Sequence, residues 1–300
     1  MNYISFYNTE NFFPPDTPFL PFWDEKKYLR KRENIAYVFG LMKQWYGALP
    51  MLIGLAEVGN KKVVKELLDC PIFEGNYGYI HYESPDERGI DVALAYDKNR
   101  VKVLASGPIR FEFEMNEGAD VYIDTTRDVL YAKLEIFGTK IHYFLVHLPS
   151  KREKDVNLEK RNSILSEIKE HIVSLIMDRG EAVIINGDFN ENPNEVNIQE
   201  FRFYEGLVQV LENPFLRLYY ERCFSTYHQK EGLLFDQIMC SQHFYKPDFP
   251  LHYHRAEVFR PGEITRKDAP NLPSRTYAGT RYLGGYSDHF PALLFFDERL

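Results

Sequence analysis

Cysteine is scarce in these 300 residues: only Cys70, Cys223 and Cys240 occur. They are widely spaced and odd in number, which suits neither a zinc site nor a closed disulfide framework. They read as reduced, structural thiols. No apolar run approaches the ~18 residues of a membrane-spanning helix. The opening residues Met1–Asn8 carry neither a cationic leader nor an apolar segment of signal-peptide length, so the expectation is a soluble, cytoplasmic protein. A basic surplus is missing too. Lys and Arg total 36 against 44 Asp and Glu, a net charge of −8, which argues against a chain coated in basic surface while permitting a local basic groove. With no internal repeat and no low-complexity linker, the chain reads as one domain spanning residues 1–300.

What is present is apolar and aromatic in quantity: 44% hydrophobic and 15% aromatic residues can bury a substantial core. Helical spacing recurs at Ile35, Val38, Phe39 and Met42, at Val63, Val64, Leu67 and Leu68, and at Leu158, Leu165, Ile168, Ile172 and Leu175, the longest candidate helix. Strand-like runs fall at 3–7, 51–56, 77–82, 91–96, 129–136, 141–146, 182–185, 233–239 and 292–296. Short turns such as Gly138-Thr139 imply antiparallel neighbours, while helices intervene elsewhere. The mixture predicts an α/β protein with mixed sheets rather than a regular parallel barrel. The stretch 245–285, rich in Pro, Gly, Arg and Tyr, reads as an elaborate loop.

Several apolar runs end in polar side chains. Ala182-Val-Ile-Ile breaks into Asn-Gly-Asp188-Phe-Asn190, and alternation turns Asp188 and Asn190 to the same face. Other runs lead into Asn8, Glu57, His147 and Asp288-His289. Alternation also puts Asp236 on the face of Leu234 and Ile238, where a carboxylate needs a partner. His289 is the expected one, because a carboxylate would fix its tautomer and raise its basicity. Glu57, Asp188 and Asp288, with the amides of Asn8 and Asn190, make an oxygen set suited to Mg²⁺ or Mn²⁺. Taken singly, a strand-end Asp or Asn is more often a turn former. Lys26-Lys27, Arg30-Lys31-Arg32 and Lys151, Arg152 and Lys154 read as solvated charge. The joint occurrence at several strand ends instead points to metal-assisted hydrolysis of a phosphate ester.

The ordered blocks Phe6-Tyr-Asn-Thr-Glu-Asn-Phe-Phe13, Gly54-Leu-Ala-Glu-Val-Gly-Asn60, Arg88-Gly-Ile-Asp-Val-Ala-Leu94, His147-Leu-Pro-Ser150, Asn186-Gly-Asp-Phe-Asn-Glu-Asn-Pro193, Phe235-Asp-Gln-Ile238 and Gly285-Tyr-Ser-Asp-His-Phe-Pro291 resemble the endonuclease/exonuclease/phosphatase superfamily. The resemblance implies a four-layer α/β/β/α sandwich of two mixed sheets flanked by helices, with the site at one edge. It also implies a Mg²⁺ (or Mn²⁺) site of Glu57, Asn8 and Asp288. Asp188 would orient or deprotonate water and Asn190 would hold it. His289, paired with Asp236, and His147 would contact the phosphate, and Arg127 resembles a phosphate-contacting arginine. The chain departs from many relatives in having Val146 before His147 and Ser-Lys-Arg-Glu after Pro149.

Fold and metal chemistry do not select a substrate. Arg275, Tyr277 and Arg281, with Arg260, Arg266, Lys267 and Tyr282, form a cation and aromatic mixture able to grip phosphates and stack on bases; the plainer reading is charge neutralisation and loop packing. The expectation is a metal-dependent phosphodiesterase acting on nucleic acid as an endo- or exonuclease. The alternatives are a phosphatase or phosphodiesterase for small or lipid-derived phosphate esters and, remotely, a catalytically inactive binding module.

Overall fold

The strand Ala182–Asp188 is buried along its whole length, and its two faces go into different cores. Ala182 and Ile184 join a central core, whereas Val183 and Ile185 join a second one under the helix Leu158–Val173. The neighbouring strand Thr139–His147 does the same, with Tyr143 and Leu145 inward and Phe144 and Val146 outward. Burial on both faces is why these runs are continuously apolar rather than alternating. A computed structural model describes residues 1–15, 17, 18, 20, 22–117, 120–151 and 155–298; Arg152 and Lys154, read above as solvated charge, lie outside the described residues.

Two six-stranded sheets form the centre. The first runs Leu251–Val258, Ala292–Glu298, Asn2–Phe12, Leu52–Val58, Asp91–Asp97, Tyr77–His81, and the second Leu211–Glu212, Asp236–Ser241, Ala182–Asp188, Thr139–His147, Val129–Ile136, Val101–Ile109. Each contains one parallel pair, Asn2–Phe12 with Leu52–Val58 and Thr139–His147 with Ala182–Asp188; the remaining pairs are antiparallel. The sheets meet closely at Gly54, where an added Cβ would lie 2.8 Å from Leu145 Cδ1 and 3.2 Å from Asn186 Oδ1. Helix Glu25–Tyr46 covers the first sheet, where the ring of Phe39 meets Tyr7 edge-on at 6.4 Å. Asp24 caps its first turn by accepting from Lys27 N, and Gly47 ends it in the left-handed conformation at φ 78°. The order of layers is the expected α/β/β/α sandwich.

Several expectations are corrected. The longest helix is Glu25–Tyr46, not the one beginning at Leu158. Strand Val101–Ile109 and the hairpin of Glu112–Glu117 with Asp120–Thr125 are additional; Gly107, Pro108 and a bulge between Val103 and Ala105 break the strand signal in the first. The stretch 245–285 is not simply a loop. It supplies the edge strand Leu251–Val258, whose polar sequence is tolerated because backbone pairing with Ala292–Glu298 holds it. The expected strand 233–239 is two elements. Glu231–Leu233 closes a small hairpin with Thr226–His228, and Asp236–Ser241 enters the second sheet, so Leu234 belongs to neither strand.

Candidate active site

Strand parity brings the polar ends together. Ile4, Phe6 and Asn8 share one face of their strand, and Phe6 packs against Gly54 at the junction of the sheets. Ile184, Asn186 and Asp188 share the facing side of theirs, so Asn8 and Asp188 meet between the sheets: Asn8 Nδ2 donates to Asp188 Oδ2 at 3.0 Å. Asp188 Oδ1 accepts from Asn190 N at 2.9 Å, which places Asn190 in the left-handed region at φ 49°. The Asn190 side chain then donates to Leu148 O at 2.9 Å.

Glu57 reaches the site by breaking that alternation. Continuing from Gly54, it would point away from the second sheet, but the strand bulges between Ala56 and Val58 and Glu57 takes φ 60°. A matching irregularity between Asn8 and Phe12 puts Glu10 and Asn11 at φ 49° and 58°. Asn11 N donates to Glu57 Oε2 at 2.8 Å, so the two bulges brace each other.

A cavity of about 520 Å³ opens between the strand ends. Among the residues facing it are Asn8, Glu57, Arg127, His147, Asp188, Asn190, Arg275, Asp288 and His289. Asp236 stands behind His289: its Oδ2 lies 2.6 Å from His289 Nδ1 and also accepts from Ser225 Oγ at 2.5 Å. His289 Nε2 is thereby turned inward, 4.0 Å from both Asp188 Oδ2 and Asp288 Oδ1. His147 Nε2 lies 3.7 Å from the same Asp188 Oδ2. Arg127 is nearly buried; it donates to Leu148 O at 3.2 Å and faces Asp86 at 3.4 Å. Arg275 Nη2 lies 3.4 Å from Asp288 Oδ2.

The electrostatics divide the histidines. Burial, reinforced by the Arg127 charge, holds His147 well below the usual imidazole pKa and hence neutral. Burial alone would lower His289 as well, but the charge and hydrogen bond of Asp236 outweigh it and raise the ring well above its ordinary value. Burial and the nearby Asp236 carboxylate push Asp188 up to about 6, with His289 offsetting part of the rise. One imidazole is therefore biased toward the neutral form and the other toward the cation, both near the buried Asp188 carboxylate.

The donor set fits a hard divalent cation. Asn8, Glu57, Asp188 and Asp288 supply oxygens around one cavity, the donor type such a cation prefers. Asp188, Asp236 and His289 also have ligand atoms within 4.8 Å of one another, making a second potential metal group, though His289 Nδ1 and Asp236 are already engaged with each other.

Tyr277 and Arg281 are not among the residues facing the cavity. Tyr277 is buried, its ring 6.1 Å from Trp23 and 5.5 Å from Tyr282, and Arg281 is exposed on the short strand Arg281–Tyr282. Arg266 pairs with Asp268 instead of the site. Arg88, Tyr227, His228 and Glu231 face the cavity without having stood out in the sequence, and Lys151, read there as solvated charge, also faces it and pairs with Glu191 at 2.5 Å and Glu195 at 3.2 Å. Arg88 stands at the head of a recognised block, which was the available signal; the hairpin residues carried none.

Residues 3–298 match the Endonuclease/Exonuclease/phosphatase family, and the chain belongs to it. No curated protein gives a significant match. Among solved structures, a humanized zebrafish TDP2 aligns with TM-score 0.63 and 18% identity, covering 98% of this chain and 98% of its own. The catalytic domain of human Nocturnin with bound sulfate gives TM-score 0.61 and 16% identity, covering 99% and 94%. A mannosyl-6-phosphatase of Bacteroides thetaiotaomicron gives 0.59 and 16%, covering 99% and 100%. At these identities the shared feature is the fold.

Proposed function

We propose that this protein is a divalent-metal-dependent phosphoesterase that hydrolyses phosphodiester bonds in nucleic acid. The observation carrying the reading is the convergence, on one cavity, of the Asn8, Glu57 and Asp288 oxygens, the Asp188–Asn190 turn, neutral His147 and the His289–Asp236 pair. Mg²⁺ or Mn²⁺ would be held by Glu57, Asn8 and Asp288 and would supply charge stabilisation to the phosphate. Asp188 accepts a proton from, or orients, the attacking water, and Asn190 holds that water. His289, kept cationic by Asp236, and His147 contact the phosphate oxygens, with Arg127 and Arg275 adding positive charge. The zebrafish TDP2 relative has been solved with a single-strand DNA product, which is consistent with such a substrate.

A second reading, hydrolysis of a small phosphate ester, is favoured by Glu195 and Glu231 on the cavity wall, since carboxylates there oppose the passage of a polyanionic strand. The test is hydrolysis of plasmid DNA, single-stranded DNA and RNA oligonucleotides, bis-p-nitrophenyl phosphate and an inositol-phosphate and sugar-phosphate panel, each with Mg²⁺, Mn²⁺ or EDTA. EDTA-sensitive cleavage of nucleic acid, lost in His289→Ala, supports the nuclease; turnover of small esters alone replaces it with the second reading. Failure of every ester in every metal overturns both.

A further inference from the structure

Helix Glu25–Tyr46 carries a lysine where a solvated one was expected. Lys31 is 1% exposed, because it lies three residues after Tyr28 and four before Ile35 on the face turned to the core. Its ammonium donates to Thr276 Oγ1 and, at 2.5 Å, to the carbonyl of Tyr286. The buried carboxylate of Glu10 accepts from Thr276 N at 2.5 Å and Tyr277 N at 3.0 Å. Asn34, one turn along from Lys31, donates to Gly284 O at 3.0 Å and Gly285 O at 2.8 Å.

These contacts grip two limbs of one segment. Tyr286 N donates to Ser274 O at 2.6 Å and Gly285 N to Arg275 O at 3.2 Å, so residues 274–277 lie against 284–286. Arg275 ends one limb at the cavity, Asp288 follows the other, and their side chains are 3.4 Å apart. Lys31 bridges the residue after Arg275 and the residue two before Asp288. Ser287 Oγ ties the second limb to Asn8 O at 2.7 Å.

We propose that Lys31 and Glu10 are positioning residues that fix the Arg275 guanidinium and the Asp288 carboxylate relative to the metal and phosphate sites, an inference that rests on the functional reading above. A fully buried ammonium is an expensive way to hold two strands together, and an apolar side chain of similar length would fill the same space without the desolvation penalty. What the ammonium adds is direction: it sets two acceptors on different limbs at a fixed separation. Neither residue touches the cavity, so neither is catalytic.

The test uses the full chain and two unlike perturbations. Lys31→Met removes the bridge. Gly285→Ala leaves Lys31 untouched but puts a Cβ 2.2 Å from Ser274 O and 2.4 Å from Arg275 O, forcing the limbs apart. Three quantities are measured: amide hydrogen exchange across the chain, Mn²⁺ binding by electron paramagnetic resonance, and KM and kcat on bis-p-nitrophenyl phosphate. The expected result is faster exchange confined to 274–288, Mn²⁺ affinity weakened about tenfold, and KM raised about tenfold with a smaller change in kcat, a size that corresponds to part of the two charged hydrogen bonds lost at Lys31 reaching the site. Lys31→Arg, which restores a buried cation able to donate to both limbs, is expected to recover part of the Mn²⁺ affinity. Wild-type exchange and Mn²⁺ affinity in Lys31→Met overturn the proposal whatever Gly285→Ala shows, as does exchange that rises equally in every strand. If the wild-type protein hydrolyses no ester, the functional reading has failed, and exchange and Mn²⁺ binding still decide whether Lys31 positions this segment.

Discussion

The Asn8 amide and the Asp188 carboxylate, 180 residues apart in sequence, are joined by a 3.0 Å hydrogen bond that ties one sheet to the other. Asp188 is 2% exposed, and its Oδ1 is already engaged by Asn190 N. Asn8→Ala should therefore leave Asp188 held through Oδ1 alone and remove one proposed metal oxygen, lowering kcat about 10²-fold, as expected for loss of an oriented base or water-positioning group. A single-turnover assay with saturating metal measures this; a kcat within twofold of wild type would show that Asn8 does not orient Asp188.

The Asp236–His289 pair should behave as one unit, because Asp236 reaches the cavity only through the imidazole. Asp236→Asn and His289→Ala are each expected to reduce kcat by at least about 10²-fold, with the double variant little worse than His289→Ala alone. Multiplicative losses in the double-mutant cycle would argue for separate roles.

Arg275 and Arg281 should separate cleanly. Arg275→Ala removes a cation that faces the cavity beside Asp288 and should raise KM about tenfold, whereas Arg281→Ala, altering an exposed strand outside the cavity, should leave KM within about twofold. Steady-state kinetics on the same ester compares them. Equal losses would bring Arg281 back into substrate binding.

Asp128 gives a stability prediction away from the site. It is buried, and neither carboxylate oxygen has a hydrogen-bond partner among the described residues, although Arg110 Nε stands 3.6 Å from Oδ2. Burial raises its pKa from 3.8 to about 6, with Arg110 opposing and Asp91 adding to the rise. A carboxyl raised in the folded state contributes stability that is complete below the unfolded value and is lost as pH climbs through the folded one. Asp128→Asn should therefore raise the thermal midpoint at pH 8, by on the order of 2 kcal/mol in stability, and be neutral near pH 3.5. Thermal melts across that range check the sign; a destabilised variant at pH 8 would mean the charge is being used.

Gly187 precedes Asp188 at φ 155°, and an added Cβ would lie 2.0 Å from Val146 O. Gly187→Ala should cost about 1–3 kcal/mol through forced separation of the central strands. The same shift displaces Asp188, so activity should fall further than the stability loss explains. Chemical denaturation and kinetics measured together make the comparison.

How much of this was legible depends on how local each signal is. Alternation is a property of the extended chain itself, so the need of Asp236 for a partner follows from spacing. Asn190 joins Asp188 at the cavity by another route, since the strand ends at Asp188 and a left-handed turn at φ 49° carries Asn190 there. Glu57 obeys a different rule. Its direction depends on a bulge stabilised by Asn11 N from the neighbouring strand, and no spacing within residues 51–58 reports that bond. Lys31 was misread because a charge run looks solvated, although its offset from Tyr28 and Ile35 put it on the buried face. Tyr277 and Arg281 were grouped with Arg275 by composition. A short hairpin turns Tyr277 onto Trp23 and leaves Arg281 outside the cavity.

The chain by itself determined two things: which residue types stand at the ends of apolar strands, and hence that oxygen donors and imidazoles predominate. Both follow from the periodicity of two in any strand and the aversion of apolar interiors to unpaired charge. Only the tertiary structure decided that these ends converge. Convergence requires two sheets to pack with Asn8 facing Asp188 and two bulges to redirect Glu57, while a buried lysine on helix Glu25–Tyr46 joins Thr276 to Tyr286 in the segment that carries Arg275 and Asp288. Each is a contact between segments far apart in the chain, set by packing and by the pairing of buried polar groups rather than by the order of residues along any one strand.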